Sequence, residues 1–306
     1  MAYSEYTLTN QEKLSFFVRK WTPESAPKGM IVLLHGLSDH GGRFAYVAEK
    51  FVSDGYIFVA PDLRGNGKSG GKRGHFDSPA QVMSDISFLL GESRKTHPDI
   101  QVILYSQSMG GNLAINFALR FPEEIDFAIS SSPWLRLTKQ PSALLQKVAS
   151  ILAKLYPSLL LSNGLKSEDL CHDQAICKAY DNDPLIHWKV SVSTFTIINS
   201  IGEWVIANAS SLKTPMLLLH SEADPITSFK ASLEFAENAN TQLTFIPYKT
   251  LFHELHNEPE KEEVCGKMVE WLGLNVPKGR TSEKIKTQVP NSRSQDPKAV
   301  PGSSLK

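Results

Sequence analysis

Five short runs of this chain are apolar at nearly every position, and each stops abruptly in small or polar residues. They are Met30 to Leu34, Ile57 to Ala60, Val102 to Tyr105, Phe127 to Ser130 and Pro215 to Leu219. A strand that is apolar on both faces must be covered on both, and in parallel sheets helices supply the cover. Helical patterns do lie between the runs, at Phe44 to Phe51, Pro79 to about Lys95 and Asn112 to Leu119. The alternation predicts an α/β fold with a mostly parallel central sheet flanked by helices. Two strand-like runs open the chain, near Tyr6 to Leu8 and Leu14 to Val18. A strand from Leu243 to Ile246 and an amphipathic helix from about Pro259 to Leu272 close the pattern. Ligands of such sheets sit beyond the carboxyl ends of the strands, where His35, Gly36, Asp62, Ser108 and Ser131 fall.

Between Trp134 and about Asn208 the alternation stops. This leucine-rich stretch reads as helical or irregular, without a convincing strand. It is expected to be an insertion lying over the strand ends. The division that follows is a core of residues 1–133 and 209–275 with a helical cap of residues 134–208. Residues 276–306 are rich in Lys, Ser, Pro, Thr and Gln and have almost no apolar content, so a disordered tail is expected there.

The whole-chain numbers exclude more than they suggest. The 306 residues are 41% apolar and 21% charged with a formal net charge of zero, so no nucleic-acid partner is expected. Three cysteines, Cys171, Cys177 and Cys265, are too few and too odd in number for a disulfide framework, and reduced thiols are expected. No secretory signal and no bilayer-spanning run stand out, which makes the cytoplasm the default compartment.

Chemistry concentrates at Ser108. The run from Gln101 to Gly111 is an apolar strand, a small-residue turn (Ser106-Gln107-Ser108-Met109-Gly110-Gly111) and the start of a helix. A serine there stands above the sheet edge at a helix N-terminus, whose free N–H groups favour an oxyanion. A nucleophilic serine needs a base and a carboxylate that orients the base. Asp224 follows the Met216–Leu219 run and His253 follows the last strand, in the chain order Ser, Asp, His. The N–H groups of Met109 and Leu37 are the natural oxyanion donors. Glu222 is the rival acid and His256 the rival base. The His253–His256 spacing misses the His-Glu-x-x-His zinc pattern, and no cluster completes a metal site. The run Gly65-Asn66-Gly67-Lys68-Ser69-Gly70 formally matches a dinucleotide fingerprint, but no helix opens inside it.

Several stretches together carry a family resemblance. They are His-Gly-Leu-Ser-Asp-His-Gly-Gly-Arg-Phe (35–44), Asp-Leu-Arg-Gly-Asn-Gly-Lys-Ser-Gly-Gly-Lys-Arg-Gly (62–74), Ser-Met-Gly-Gly (108–111), Asp-Asn-Asp-Pro-Leu (181–185), Glu-Ala-Asp-Pro (222–225) and Phe-His-Glu-Leu-His-Asn-Glu (252–258). With them the chain resembles the monoglyceride lipase and lysophospholipase branch of the α/β-hydrolases over roughly residues 10 to 273. The resemblance implies a serine hydrolase of single-chain lipid esters, with Ser108, Asp224 and His253 as triad, Leu37 and Met109 at the oxyanion, and no cofactor or metal. A lipid ester would be the partner, with transient membrane contact through the cap. Ser106 departs from the pattern where the elbow usually has glycine, Ser221 likewise before the acid, and Asn66 where histidine is frequent. Crowding at Ser106 is the specific concern. A hydrolase of another ester, thioester or peptide bond, and an inactive fold that only binds, are the alternatives. The stripe Ala143, Leu144, Leu145, Val148, Leu152, Leu155, Tyr156 and Leu159 has two readings that one helix could satisfy together: a helix packed on the core, and a lid that lines an acyl channel or leans on a membrane.

Overall fold

A computed structural model describes residues 1–276. Eight strands form one sheet: β1 (Ala2–Thr9), β2 (Ser15–Thr22), β3 (Gly29–Leu34), β4 (Tyr56–Pro61), β5 (Val102–Gln107), β6 (Phe127–Ser131), and two later strands at Met216–Ser221 and Leu243–Tyr248. An antiparallel hairpin of β1 and β2 joins β4, also antiparallel. From β4 onward every neighbour is parallel: β4 to β3, β3 to β5, β5 to β6, β6 to Met216–Ser221, and that strand to Leu243–Tyr248.

Alternation along each strand divides the core in two. Met30, Val32 and Leu34 of β3 face one apolar cluster, and Ile31 and Leu33 face the other. Helices α1 (Ala45–Ser53) and the carboxy-terminal Lys261–Asn275 cover the second face with Val47, Phe51, Val264 and Met268. Helices α2 (Pro79–Arg94) and α3 (Met109–Arg120) cover the first with Ile86, Leu89, Leu113 and Phe117. Two-sided burial is why these strands lack the polar alternation of a half-exposed sheet.

Between β6 and the Met216–Ser221 strand run α4 (Ala143–Leu155), β7 (Leu160–Ser162), α5 (Gln174–Asn182), β8 (Lys189–Ser191) and α6 (Val192–Ala207). The later strands are then β9 (Met216–Ser221) and β10 (Leu243–Tyr248), with α7 (Phe229–Asn238) between them and α8 (Lys261–Asn275) last. The short strands β7 and β8 pair antiparallel, which corrects the reading of this region as strand-free. Three residues each are too few for a periodicity signal.

The stretch is also not uniform. Helix α6 buries Ile198, Ile201 and Val205 in the cluster shared with β3 and α3, so it belongs to the core layer. Helix α4 buries no residue at all, and Leu144, Leu145, Val148, Ile151 and Leu155 are exposed. The helix lies on α6 with Ala149, Leu152 and Ala153 half-buried, so it packs on the core layer along one side while most of its apolar stripe stays exposed. Among the described residues no helix is long and apolar enough to cross a membrane. The expected tail, apart from Val276, lies outside the described residues.

Candidate active site

Ser108 sits between β5 and α3 with φ +56° and ψ −119°, a conformation that a side-chain-bearing residue rarely adopts. Such strain costs on the order of 1–3 kcal/mol and persists only where surroundings enforce it. Here they do: the Ser108 N–H donates to the Ser131 carbonyl at 3.1 Å, and the Ser108 carbonyl accepts from Asn112 at 3.1 Å and Trp134 at 2.9 Å. The turn also brings α3 very close to β3. A Cβ on Gly110 would lie 1.9 Å from the Leu34 carbonyl oxygen, so glycine is obligatory there. Ser106, where crowding was the concern, is accommodated: its hydroxyl donates to the Ile129 carbonyl at 3.0 Å on neighbouring β6.

Asp224 lies in the turn after β9, its side chain fully buried, and receives five bonds. Oδ1 accepts from the N–H groups of Ile226 and Thr227 at 2.8 and 2.9 Å. Oδ2 accepts from His253 Nδ1 at 2.8 Å, Thr227 Oγ1 at 2.8 Å and His220 Nε2 at 3.1 Å. Burial alone would raise this carboxyl, but the two imidazoles outweigh it and hold Asp224 well below the usual carboxylate range. For His253 burial pulls toward the neutral form. The charge and hydrogen bond of Asp224, with Glu254 and Asp39 further off, win and raise it above the ordinary imidazole value.

The rivals go elsewhere. Glu222 points to solvent. His256 is buried and stacked on Phe44 with centroids 4.6 Å apart, and both its ring nitrogens lack hydrogen-bond partners. Burial lowers it to about 4, so it is a neutral packing residue. His35 accepts from the Leu63 N–H through Nε2 at 2.8 Å, fixing the loop beside Gly36. The glycine-rich loop is consumed by the fold: Asp62 accepts from Lys68 N–H and Gly41 N–H, both at 2.8 Å, and from Arg19 at 2.6 Å. A phosphate has no free backbone cradle there.

Ser108 and His253 line one cavity of about 580 Å³, its open mouth included. Leu37, Trp134, Leu137, Leu165, Leu170, Val190, Phe195 and Ile226 make most of it apolar. Asp39, Tyr180 and Glu254 add a polar end. Behind that end Arg43 forks onto Glu254 with two 2.7 Å bonds, approaches Asp39 at 3.2 Å and lies 4.6 Å over the Tyr180 ring. Burial would raise Glu254, but Arg43 brings it to about 2. Leu37 lines the cavity directly, and Met109 begins α3, where the first N–H groups are free of intrahelical partners.

Sequence reading missed His220, Thr227, Arg43 and Glu254. A histidine closing the otherwise apolar stretch Met216–Leu219 was the available signal, since a buried imidazole demands partners.

Residues 25–260 match the family described as serine aminopeptidase S33. A monoacylglycerol lipase of Mycolicibacterium smegmatis is 31% identical over 82% of this chain and 90% of its own length. A phospholipase of Bacillus subtilis, YtpA, is 29% identical over 80% of this chain and 95% of its own. The crystal structure of a monoacylglycerol lipase from Paleococcus ferrophilus superposes with a TM-score of 0.78 at 31% identity, covering 85% of this chain and 99% of that one. The chain belongs to the monoglyceride lipase-like α/β-hydrolases. It is a serine ester hydrolase. Within that family its Ser221 is unremarkable in effect, for the hydroxyl accepts from the Ala223 N–H at 3.3 Å. Asn66 bonds His187 Nε2 at 3.1 Å and the Arg64 carbonyl at 2.9 Å, again a packing role.

Proposed function

We propose that this enzyme hydrolyses carboxylic esters of single-chain lipids, with Ser108 as nucleophile, His253 as base and Asp224 as the carboxylate that orients it. The observation that carries the reading is the shared cavity: Ser108 and His253 open onto it, and Asp224 holds His253 Nδ1 at 2.8 Å from the buried side. Asp224 fixes the tautomer that leaves Nε2 free to take the Ser108 proton. The serine oxygen adds to the ester carbonyl, and the N–H groups of Leu37 and Met109 stabilise the oxyanion. Imidazolium returns the proton to the departing alcohol. A water deprotonated by His253 then splits the acyl-serine, releasing the fatty acid and restoring Ser108.

The lining supports an acyl chain along the leucine-rich wall and a small polar alcohol at the Asp39–Tyr180–Glu254 end. That end favours a neutral head group over a phosphate, because it presents two carboxylates and its guanidinium is already forked onto Glu254. Monoacylglycerol is therefore the preferred substrate, ahead of the lysophospholipid that the family resemblance also allows. The exposed apolar face of α4 suits transient contact with the surface of lipid aggregates. Of residues 134–208, the stretch before α6 would then act as the cap through which substrate enters.

The test is fluorophosphonate labelling of wild type and Ser108→Ala, followed by hydrolysis of monoacylglycerol, lysophospholipid and short-chain esters. Labelling of wild type alone, with long-chain monoacylglycerol cleaved best, is expected. Labelling that survives Ser108→Ala would remove the nucleophile assignment, and a preference for short acyl chains would remove the lipid reading.

A further inference from the structure

Both sequence neighbours of His253 are fastened, through backbone N–H groups, toward one short stretch of the inserted segment. The Glu254 N–H donates to the Leu170 carbonyl at 2.7 Å. The Phe252 N–H donates to the carboxylate of Glu258. That carboxylate also accepts from the His172 backbone N–H at 3.1 Å and from its ring Nδ1 at 2.9 Å. The rings of His172 and Phe252 stack with centroids 3.9 Å apart.

The Glu258 side chain is completely buried, whereas that of His172 is 46% exposed. A carboxylate is expensive to bury unless it is bonded, and charge-assisted bonds are the strong ones. Glu258 draws its three donors from two parts of the chain, the loop just before it and the remote inserted segment. Asp224 holds one nitrogen of the His253 ring. The backbone on either side of His253 decides where the other nitrogen points. A general base misplaced by about 1 Å can cost on the order of 100-fold in rate.

We propose that Glu258 and His172 are positioning residues for His253: the His172–Glu258 clasp seats the loop that carries the base. The aim of His253 at Ser108 then depends on the inserted segment being docked at Leu170 to His172. This inference rests on the assignment of His253 as base and Ser108 as nucleophile. It does not depend on the substrate being a lipid.

The experiment is the rate at which a fluorophosphonate phosphonylates Ser108 in the full chain, with loss of fluoride, resolved into a maximal rate and an apparent affinity, with thermal midpoints alongside. His172→Phe keeps a ring to stack on Phe252 and loses the donor to Glu258. His172→Asn loses the ring and sets a side-chain N–H close to where Nδ1 stands. Glu258→Gln removes the charge. We expect the maximal rate to fall about tenfold or more in His172→Phe and Glu258→Gln. Apparent affinity and thermal midpoint should stay near wild type, and His172→Asn should recover most of the rate. An unchanged rate in His172→Phe overturns the proposal. So does a His172→Asn variant as slow as His172→Phe, because ring packing would then carry the effect. So does a loss that tracks the thermal midpoint, which marks a structural role only. Should Glu258→Gln fail to fold, the two His172 variants decide. A wild type that does not label overturns the base assignment, and this proposal with it; a labelled wild type matched by its variants overturns the proposal alone.

Discussion

Helices α3 and α4 are of similar length and both rich in apolar residues, yet they end in opposite environments. Helix α3 buries every residue from Met109 to Ala118, while α4 buries none of its 13. The first is entered directly from a sheet strand, and its small residues let it lie against β3 and β6. The second begins 12 residues after β6 ends and rests on α6, with Leu144, Val148, Ile151 and Leu155 turned outward. Apolar spacing identifies a helix face that wants cover. What covers it depends on the connection that delivers the helix.

That contrast can be broken or sharpened in several ways. The largest effect is expected at the head of α3: Ser108→Ala should reduce ester hydrolysis by about 10⁶-fold while leaving the thermal midpoint near wild type. A residual rate within tenfold of wild type would move the chemistry away from α3. Next, Asp224→Asn should lower kcat by about 10⁴-fold, since the carboxamide favours the wrong tautomer.

The same pair sets the pH dependence. The proposed base His253 would work only when neutral, and Asp224 raises its pKa. Activity should therefore be present above that pKa and be lost as pH falls through it, with the midpoint above the ordinary value of about 6.5. Asp224→Asn should move the midpoint of its residual activity downward. A wild-type acid limb below the ordinary imidazole range would contradict the pairing.

Stability effects come after these. Gly110→Ala should destabilise by about 3 kcal/mol or prevent folding, because the added carbon meets a backbone carbonyl that cannot step aside. Denaturant titration measures this. The smallest effect belongs to α4: Leu144→Ser combined with Ile151→Ser should change stability by only about 0.5 kcal/mol. The same double variant should slow hydrolysis of vesicle-borne monoacylglycerol several-fold and spare a soluble short-chain ester. Equal behaviour on both substrates would leave the exposed face of α4 without a role at lipid surfaces.

Much of the architecture was legible because strands buried on both faces need unbroken apolar runs. Met30–Leu34 and Val102–Tyr105 announce themselves, as do the turns that end them. Asp224 and His253 were legible for a related reason: each follows a parallel strand, so topology brings them to one edge. The short strands β7 and β8 were not, being three residues long and held by their neighbours rather than by their own pattern. Nor was the fate of the α4 stripe. Arg43 and Glu254 lie 211 positions apart in sequence, and nothing local in either marks them as an ion pair.

The sequence by itself determined the sheet, the placing of Ser108, Asp224 and His253 in that order after parallel strands, and the small-residue turn at the head of α3. These follow from local periodicity and from the steric demands of small residues. Only the tertiary structure decided that Ser106 fits, that Asp224 draws on His220 and Thr227 as well as His253, and that the stretch near His172 grips the loop beside His253. Such contacts join residues remote along the chain. Their energies depend on burial and on angles that exist only once the layers have packed.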